Sequence, residues 1–169
     1  ADADLDDPSP KYTTNLRLKT LAATTLHAIR PALTTGFAVA TEINTDEIMD
    51  ESGTAGTTYM ATVHGGRVEE SRRVQPPPDE RWKRAVAHRA HHTANAHAVV
   101  DALSPNGHPA RVGLAEHNAA LVLTAAHDGQ LTLTDALARV REARRSGRAQ
   151  RLLARLQSRK DTARSCTAS

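Results

Sequence analysis

The sequence predicts an α+β fold, with a small antiparallel sheet in its first half and helices in its second half. Apolar and polar residues alternate over residues 36–43 and again on both sides of a Gly-Gly pair, as in strands joined by a hairpin. After residue 79 the apolar residues recur at helical spacing instead. The chain of 169 residues contains 30 alanines, as many as its Leu, Ile, Val and Phe residues combined. Alanine favours helices but buries little area, so we expect a thin core.

The N-terminal part predicts an arm followed by a helix. Residues 1–11 are acidic and contain prolines, which is typical of a flexible arm. Apolar residues then recur at helical spacing over residues 15–30, and Pro31 ends the pattern. We expect an amphipathic helix here, then a strand at 36–43, then a polar and acidic loop over 44–56.

The clearest local signal is a β-hairpin. Residues 57–63 and 68–74 have strand character and flank His64-Gly65-Gly66-Arg67. A Gly-Gly pair supplies the positive φ angles that a two-residue hairpin turn requires. The second arm is charged on both faces, which is typical of an edge strand.

The helical half begins after three consecutive prolines at 76–78, which predict a stiff linker. Asp79 is placed to cap the N-terminus of a long helix that ends near Leu103. The composition of residues 104–109 predicts a turn.

Further along, a second helix is predicted over residues 112–127, closed by an Asp-Gly pair, and Thr132 or Thr134 would cap a third. Gly147 would either break that helix or be absorbed into it, which gives three to four helices in all. The predicted organisation is an acidic arm over 1–11, an acidic α+β unit over 12–75, a proline linker over 76–78, a basic helical unit over 79–158 and a polar tail over 159–169.

Charge is divided between the two halves. Residues 1–80 contain 7 basic and 13 acidic side chains, a net charge of −6, whereas residues 81–169 contain 15 and 6, a net charge of +9. Residues 139–160 contain nine basic side chains and one acidic residue, Glu142, for a net charge of +8. Arginine makes planar, bidentate contacts to phosphate or carboxylate groups.

This basic stretch predicts contact with nucleic acid or with an acidic protein surface, including the protein's own first half. A solvated helix face remains a further alternative. The residues predicted to contact the anionic partner are Arg141, Arg144, Arg145, Arg148, Arg151, Arg155, Arg159 and Lys160.

Residues 113–157 have the order of segments found in one family of DNA-binding domains. Leu121-Val122-Leu123 is followed by Leu131-Thr132-Leu133-Thr134-Asp135 and then by Arg148-Ala149-Gln150-Arg151-Leu152-Leu153. This segment resembles bacterial helix-turn-helix domains. The resemblance implies that residues 148–156 lie in the major groove, with Arg148 and Arg151 near bases or phosphates. The family's tight turn is missing, because residues 141–146 look helical, and this favours one continuous basic helix over 134–158.

Seven of the nine histidines lie between residues 88 and 127. His88 and His92 are spaced i,i+4 on the predicted long helix, and His117 could supply a third zinc ligand if two helices pack antiparallel in register. No Glu lies between His88 and His92 as in the zinc protease motif. Ordinary polar-face histidines are therefore favoured over a metalloenzyme, and we expect no catalytic residue and no cofactor.

The single cysteine, Cys166, excludes a disulfide within one chain. No apolar run approaches the length of a membrane helix, and the acidic start is unlike a signal peptide, so we expect a cytoplasmic protein without membrane contact.

Two functions compete. One is a nucleic-acid-associated protein, regulatory or architectural and most compatible with DNA; the other is a structural subunit of a large assembly, such as a phage or other particle, whose oppositely charged halves dock between copies. Both predict a homo-oligomer.

Overall fold

The computed structural model describes residues 35–43, 47–65 and 67–166, with side chains to residue 158. The predicted arm at 1–11 and helix at 15–30 lie outside these residues. The elements are β1 (Thr35–Glu42), β2 (Ile48–Met49), β3 (Thr57–His64), β4 (Arg67–Val74), α1 (Glu80–Val86), α2 (His92–Leu103), α3 (Pro109–Ala126), α4 (Leu133–Arg145) and α5 (Arg148–Cys166). This arrangement confirms the predicted α+β fold.

The four strands form one antiparallel sheet in the order β2-β1-β3-β4. The hairpin of β3 and β4 is confirmed, since His64 pairs with Arg67 across the two-residue turn. β1 pairs along its whole length with β3, with Gly36 opposite Val63. The short strand β2 lies in the acidic loop, where no strand was expected, and β4 forms the other edge of the sheet.

The core consists mainly of small side chains, as the composition predicts. Ala61 and Val63 of β3 have no exposed surface. Between α3 and α4 the same is true of Ala120 and Ala136, and such small residues let two helices approach closely. Larger apolar side chains surround this contact: Leu123, Leu131, Leu133, Leu137 and Val140.

Polar contacts join the acidic loop to α3. The backbone N–H of Ser52 donates to Oδ1 of Asn118, and Nδ2 of Asn118 donates to the carbonyl oxygen of Ser52, each at 2.9 Å. Ser52 is buried, so this reciprocal pair satisfies both of its backbone polar groups. The loop between β2 and β3 is therefore fixed to α3.

The single helix predicted from Asp79 to Leu103 is wrong, although its N-cap is confirmed. Oδ1 of Asp79 accepts a hydrogen bond from the Trp82 backbone at 2.7 Å, but α1 ends at Val86. The side chain of Asn95 both accepts from the backbone N–H of Arg89 and donates to its carbonyl oxygen, each at 2.8 Å. These bonds stabilise a non-helical connection between α1 and α2 without proline or glycine.

The continuous helix predicted over residues 134–158 is also wrong. Gly147 has a φ of +72°, in the left-handed region that favours glycine, and separates α4 from α5. Of the two predicted caps of α4, Thr132 is the one used, accepting from the Asp135 backbone at 3.1 Å.

None of the helices in the described part of the chain has the length and apolar character required to cross a membrane.

We predict opposite effects for alanine at two glycines. Gly147→Ala places a Cβ in a left-handed conformation and should lower the free energy of unfolding by about 1 kcal/mol. Gly113→Ala, inside α3, places its Cβ in ordinary van der Waals contact with Thr54 Cγ2 at 3.7 Å and should raise it by about 0.5 kcal/mol. Urea unfolding of both variants measures the difference, and equal effects would contradict the assigned turn.

Candidate functional site

A buried carboxylate lies at the centre of the basic half. Glu116 of α3 is 6% exposed. Its Oε1 accepts from Nε of Arg144 at 2.7 Å, and its Oε2 accepts from Nε of Arg141 at 3.2 Å. Burying an ionised carboxylate is costly unless it is paired and hydrogen-bonded, and the two guanidinium groups meet this requirement.

Arg144 also joins a third segment to this contact. Its Nη1 donates to the carbonyl oxygens of Ser104 and Pro105, both at 2.8 Å, in the turn between α2 and α3. The side chain of Arg144 is 13% exposed, whereas that of Arg141 is 50% exposed. The sequence predicts contact with an anionic partner for both residues, but the structure directs both guanidinium groups at Glu116.

The remaining predicted contact residues with described side chains face solvent. Arg148, Arg151 and Arg155 are exposed on α5, and Arg145 is exposed at the end of α4. None of these four side chains has a hydrogen bond or an ion pair to another residue in the described part of the chain. The side chains of Arg159 and Lys160 lie outside the described residues.

Helical spacing places three of these arginines together. Residues 148, 151 and 155 are three and four positions apart, so they share one side of α5, which we call the arginine face. Two leucines of the same helix, Leu152 and Leu156, are 56% and 55% exposed. The last helix therefore presents both a basic face and exposed apolar side chains to solvent.

His117, next to Glu116 on α3, is buried and contacts the sheet. Nη1 of Arg73, on β4, lies 2.9 Å from Nε2 of His117. Because a guanidinium group can only donate, this nitrogen of His117 accepts and the ring is neutral. Burial, with a smaller effect from the charge of Arg73, lowers the pKa of His117 below its ordinary value. Nη2 of Arg73 donates to the carbonyl oxygen of Gly53 at 2.6 Å.

The structure does not assemble the three histidines of the possible zinc site. His88 lies in the connection after α1, and His92 is the first residue of α2, so the helical i,i+4 spacing that suggested a ligand pair is absent. His117 is occupied by Arg73. Within the described residues, no group of three or more His, Cys, Asp or Glu side chains is positioned to hold a metal ion.

A cleft of 610 Å³ lies between the β2 segment and helices α1 to α3. Both its arginine and its lysine form ion pairs: Arg111 with Asp101 at 3.1 Å and Lys83 with Glu80 at 3.0 Å. Its walls include Ile43, Met49, Ala98, Val99 and Leu114. Three acidic residues, Glu47, Asp50 and Glu51, also line the cleft, so the lining disfavours an anionic ligand.

The sequence shows the basic stretch but not its division into paired and exposed arginines. Arg144 and Glu116 are 28 positions apart, and Arg73 and His117 are 44 positions apart, so no local pattern connects them.

Comparison of the sequence with protein-family models found no match, and comparison with curated proteins found no significant relative.

We predict that Glu116 is required for stability. Glu116→Gln removes the charge that two arginines face and should lower the free energy of unfolding by about 2 kcal/mol. Glu142→Gln, an exposed change of the same type on α4, should stay within about 0.5 kcal/mol of the native protein. Chemical denaturation compares them, and equal losses for the two variants would refute the role of Glu116.

We also predict a pH dependence of stability that originates at His117. Its pKa is lowered in the folded protein, so below the ordinary His value of about 6.5 the unfolded chain binds the proton more readily. Stability should therefore fall as pH decreases from 7.5 to 5.5. His117→Gln keeps a hydrogen-bond acceptor but does not titrate. The free energy of unfolding of this variant should therefore fall less over the same pH range.

His97→Gln, at an exposed position on α2, is the matched control. The free energy of unfolding of this variant should fall with decreasing pH as much as that of the native protein. The measurement is urea unfolding at several pH values and constant ionic strength. A decline in His117→Gln as steep as in the native protein would show that another group is responsible.

Proposed function

We propose that the protein binds nucleic acid, DNA in the first place, through the arginine face of α5. The observation that carries this proposal is the contrast between two sets of arginines. Arg141 and Arg144 are paired with a buried carboxylate, whereas Arg148, Arg151 and Arg155 are exposed without a side-chain partner in the described part of the chain. The exposed set is available for an external anion.

Spacing and chemistry favour a phosphate backbone as that anion. Residues 148–155 span about 10 Å along the helix axis. Double-stranded DNA carries one negative charge per about 1.7 Å, so several phosphates would lie within reach of this face. Guanidinium groups bind phosphate oxygens in a bidentate geometry. The single cysteine of the sequence favours a cytoplasmic location, where nucleic acid is accessible.

Two binding modes are compatible with this surface. In a helix-turn-helix mode, α5 would lie in the major groove and Arg148 and Arg151 would approach the bases. A short break that contains a glycine, at Gly147 between α4 and α5, supports this mode. In an architectural mode, the arginine face would contact phosphates alone. Competition by unrelated duplex sequences distinguishes them, since only the first mode discriminates among sequences.

We predict that the arginine face determines affinity. Replacing Arg148, Arg151 and Arg155 by Gln should weaken binding to a fluorescent 20-base-pair duplex by about 100-fold at low salt. The slope of log K against log salt concentration should become shallower by about one unit for each phosphate that the variant no longer binds. Fluorescence anisotropy over a salt titration measures both quantities.

The matched control replaces three exposed arginines elsewhere, Arg67, Arg81 and Arg84, and lowers the net charge by the same amount. We expect it to bind within about 3-fold of the native protein, because nonlocal charge contributes less than direct contact. Equal weakening in both triple variants, or no binding by the native protein at low salt, would contradict the proposal.

Exposed Leu152 and Leu156 favour a second candidate, in which α5 docks on an acidic protein surface within a large assembly. In that case affinity for the partner depends on the leucines as well as the arginines. Leu152→Ser with Leu156→Ser separates the candidates, since it should weaken DNA binding far less than loss of the three arginines does but abolish docking.

A further inference from the structure

The edge strand β4 has an unusual order of charges. Residues 68–74 are Val, Glu, Glu, Ser, Arg, Arg and Val, so reversing the segment about Ser71 exchanges acid for base and leaves both valines in place. Two such strands running antiparallel would complement each other. We propose that two copies of this protein pair through β4, about a two-fold axis at Ser71, to form a continuous eight-stranded sheet.

The hydrogen-bonding pattern of the hairpin determines which groups are directed outward. Among the strands that the structure describes, β4 pairs with β3 on one side and lies at the edge of the sheet on the other. A two-residue turn makes His64 and Arg67 a hydrogen-bonded pair, and such pairs alternate along an antiparallel ladder. Residues 67, 69, 71 and 73 therefore bond to β3. Residues 68, 70, 72 and 74 direct their N–H and C=O groups away from the sheet.

This pattern restricts the possible registers. A second copy of β4 must place its even-numbered residues opposite the even-numbered residues of the first. Centring the axis on Glu70 opposes two carboxylates, and centring it on Arg72 opposes two guanidinium groups; both are destabilising. Centring it on Ser71 places Glu70 opposite Arg72 twice and Val68 opposite Val74 twice. Only this register near the middle of the strand pairs unlike charges.

Exposure is consistent with a partner on this edge. Residues 69–72 are exposed, and Val74 is 64% exposed, whereas the valine it would meet, Val68, is half-buried. The pairing does not require Glu70 to lack other contacts, because a carboxylate accepts several hydrogen bonds. Glu69 lies opposite Arg73, whose guanidinium group is directed at Gly53 and His117, so we count no ion pair there.

Charged edge strands usually prevent association, but here the charges discourage every register near the centre except one. Closed two-fold dimers are the commonest oligomers, and an antiparallel edge pair generates one directly. The inference does not depend on nucleic-acid binding, since β4 and α5 are separate surfaces. An interface of this size is small, so we expect a dissociation constant in the micromolar range.

The experiment is sedimentation equilibrium of the full chain without nucleic acid, at about 5 to 200 µM to cover that range. The native protein should reach twice the monomer mass of 18.2 kDa. Glu70→Arg places an arginine opposite Arg72 at both pairs, and Arg72→Glu places a glutamate opposite Glu70 at both pairs. Each variant should therefore raise the dissociation constant at least about 10-fold. Arg67→Glu, outside the paired segment on the same strand, is the charge-matched control and should dimerise normally.

Charge exchange makes the test specific. A mixture of the Glu70→Arg and Arg72→Glu chains restores unlike pairs and should form a heterodimer, although each chain alone dimerises more weakly than the native protein. The double variant Glu70→Arg with Arg72→Glu should dimerise again with itself. A monomeric native protein over the whole range would overturn the proposal, as would a dimer that both single variants leave intact or a mixture that does not associate. Circular dichroism verifies that each variant is folded.

Discussion

The carboxylate of Glu116 is the constraint on which the rest of the helical half depends. A core of alanines buries little area and so contributes little to fixing the relative positions of helices. A buried charge must be paired, however, and the pairing of Glu116 with Arg141 and Arg144 holds α4 on α3 in one arrangement. Arg144 extends the same constraint to the turn before α3. Polar contacts thus provide a positional specificity that large apolar side chains usually provide.

The same contact divides the basic stretch of the sequence into two parts. In the first part, Arg141 and Arg144 face the single buried charge of Glu116, and the break at Gly147 begins a new helix whose arginines face outward. The net charge of residues 139–160 is therefore an overestimate of the charge available to a partner. The charge that remains includes the arginine face of α5, which is the basis of the proposed function, while the sheet offers a separate surface at β4.

Local signals in the sequence predicted the elements that local chemistry determines. The Gly-Gly pair specified the hairpin, Asp79 is an N-cap as predicted, and Thr132 is the one of the two expected threonines that caps its helix. The breaks after Val86 and at Gly147 were not predicted correctly, because one depends on the side chain of Asn95 and the other on a glycine that a helix could also absorb. The Glu116 contact was not predicted at all, since its members are distant in sequence. The basic surface was identified from composition, but its paired and exposed arginines could be separated only in three dimensions.

The division between paired and exposed arginines is tested most directly by following each arginine separately. In an NMR titration with duplex DNA, the Nε–Hε signals of Arg148, Arg151 and Arg155 should move as DNA is added. The signals of Arg141 and Arg144, which donate through Nε to Glu116, should remain in place. Movement of the paired arginines to the same extent as the exposed ones, or no movement of the exposed ones, would contradict the division that we assign to Glu116.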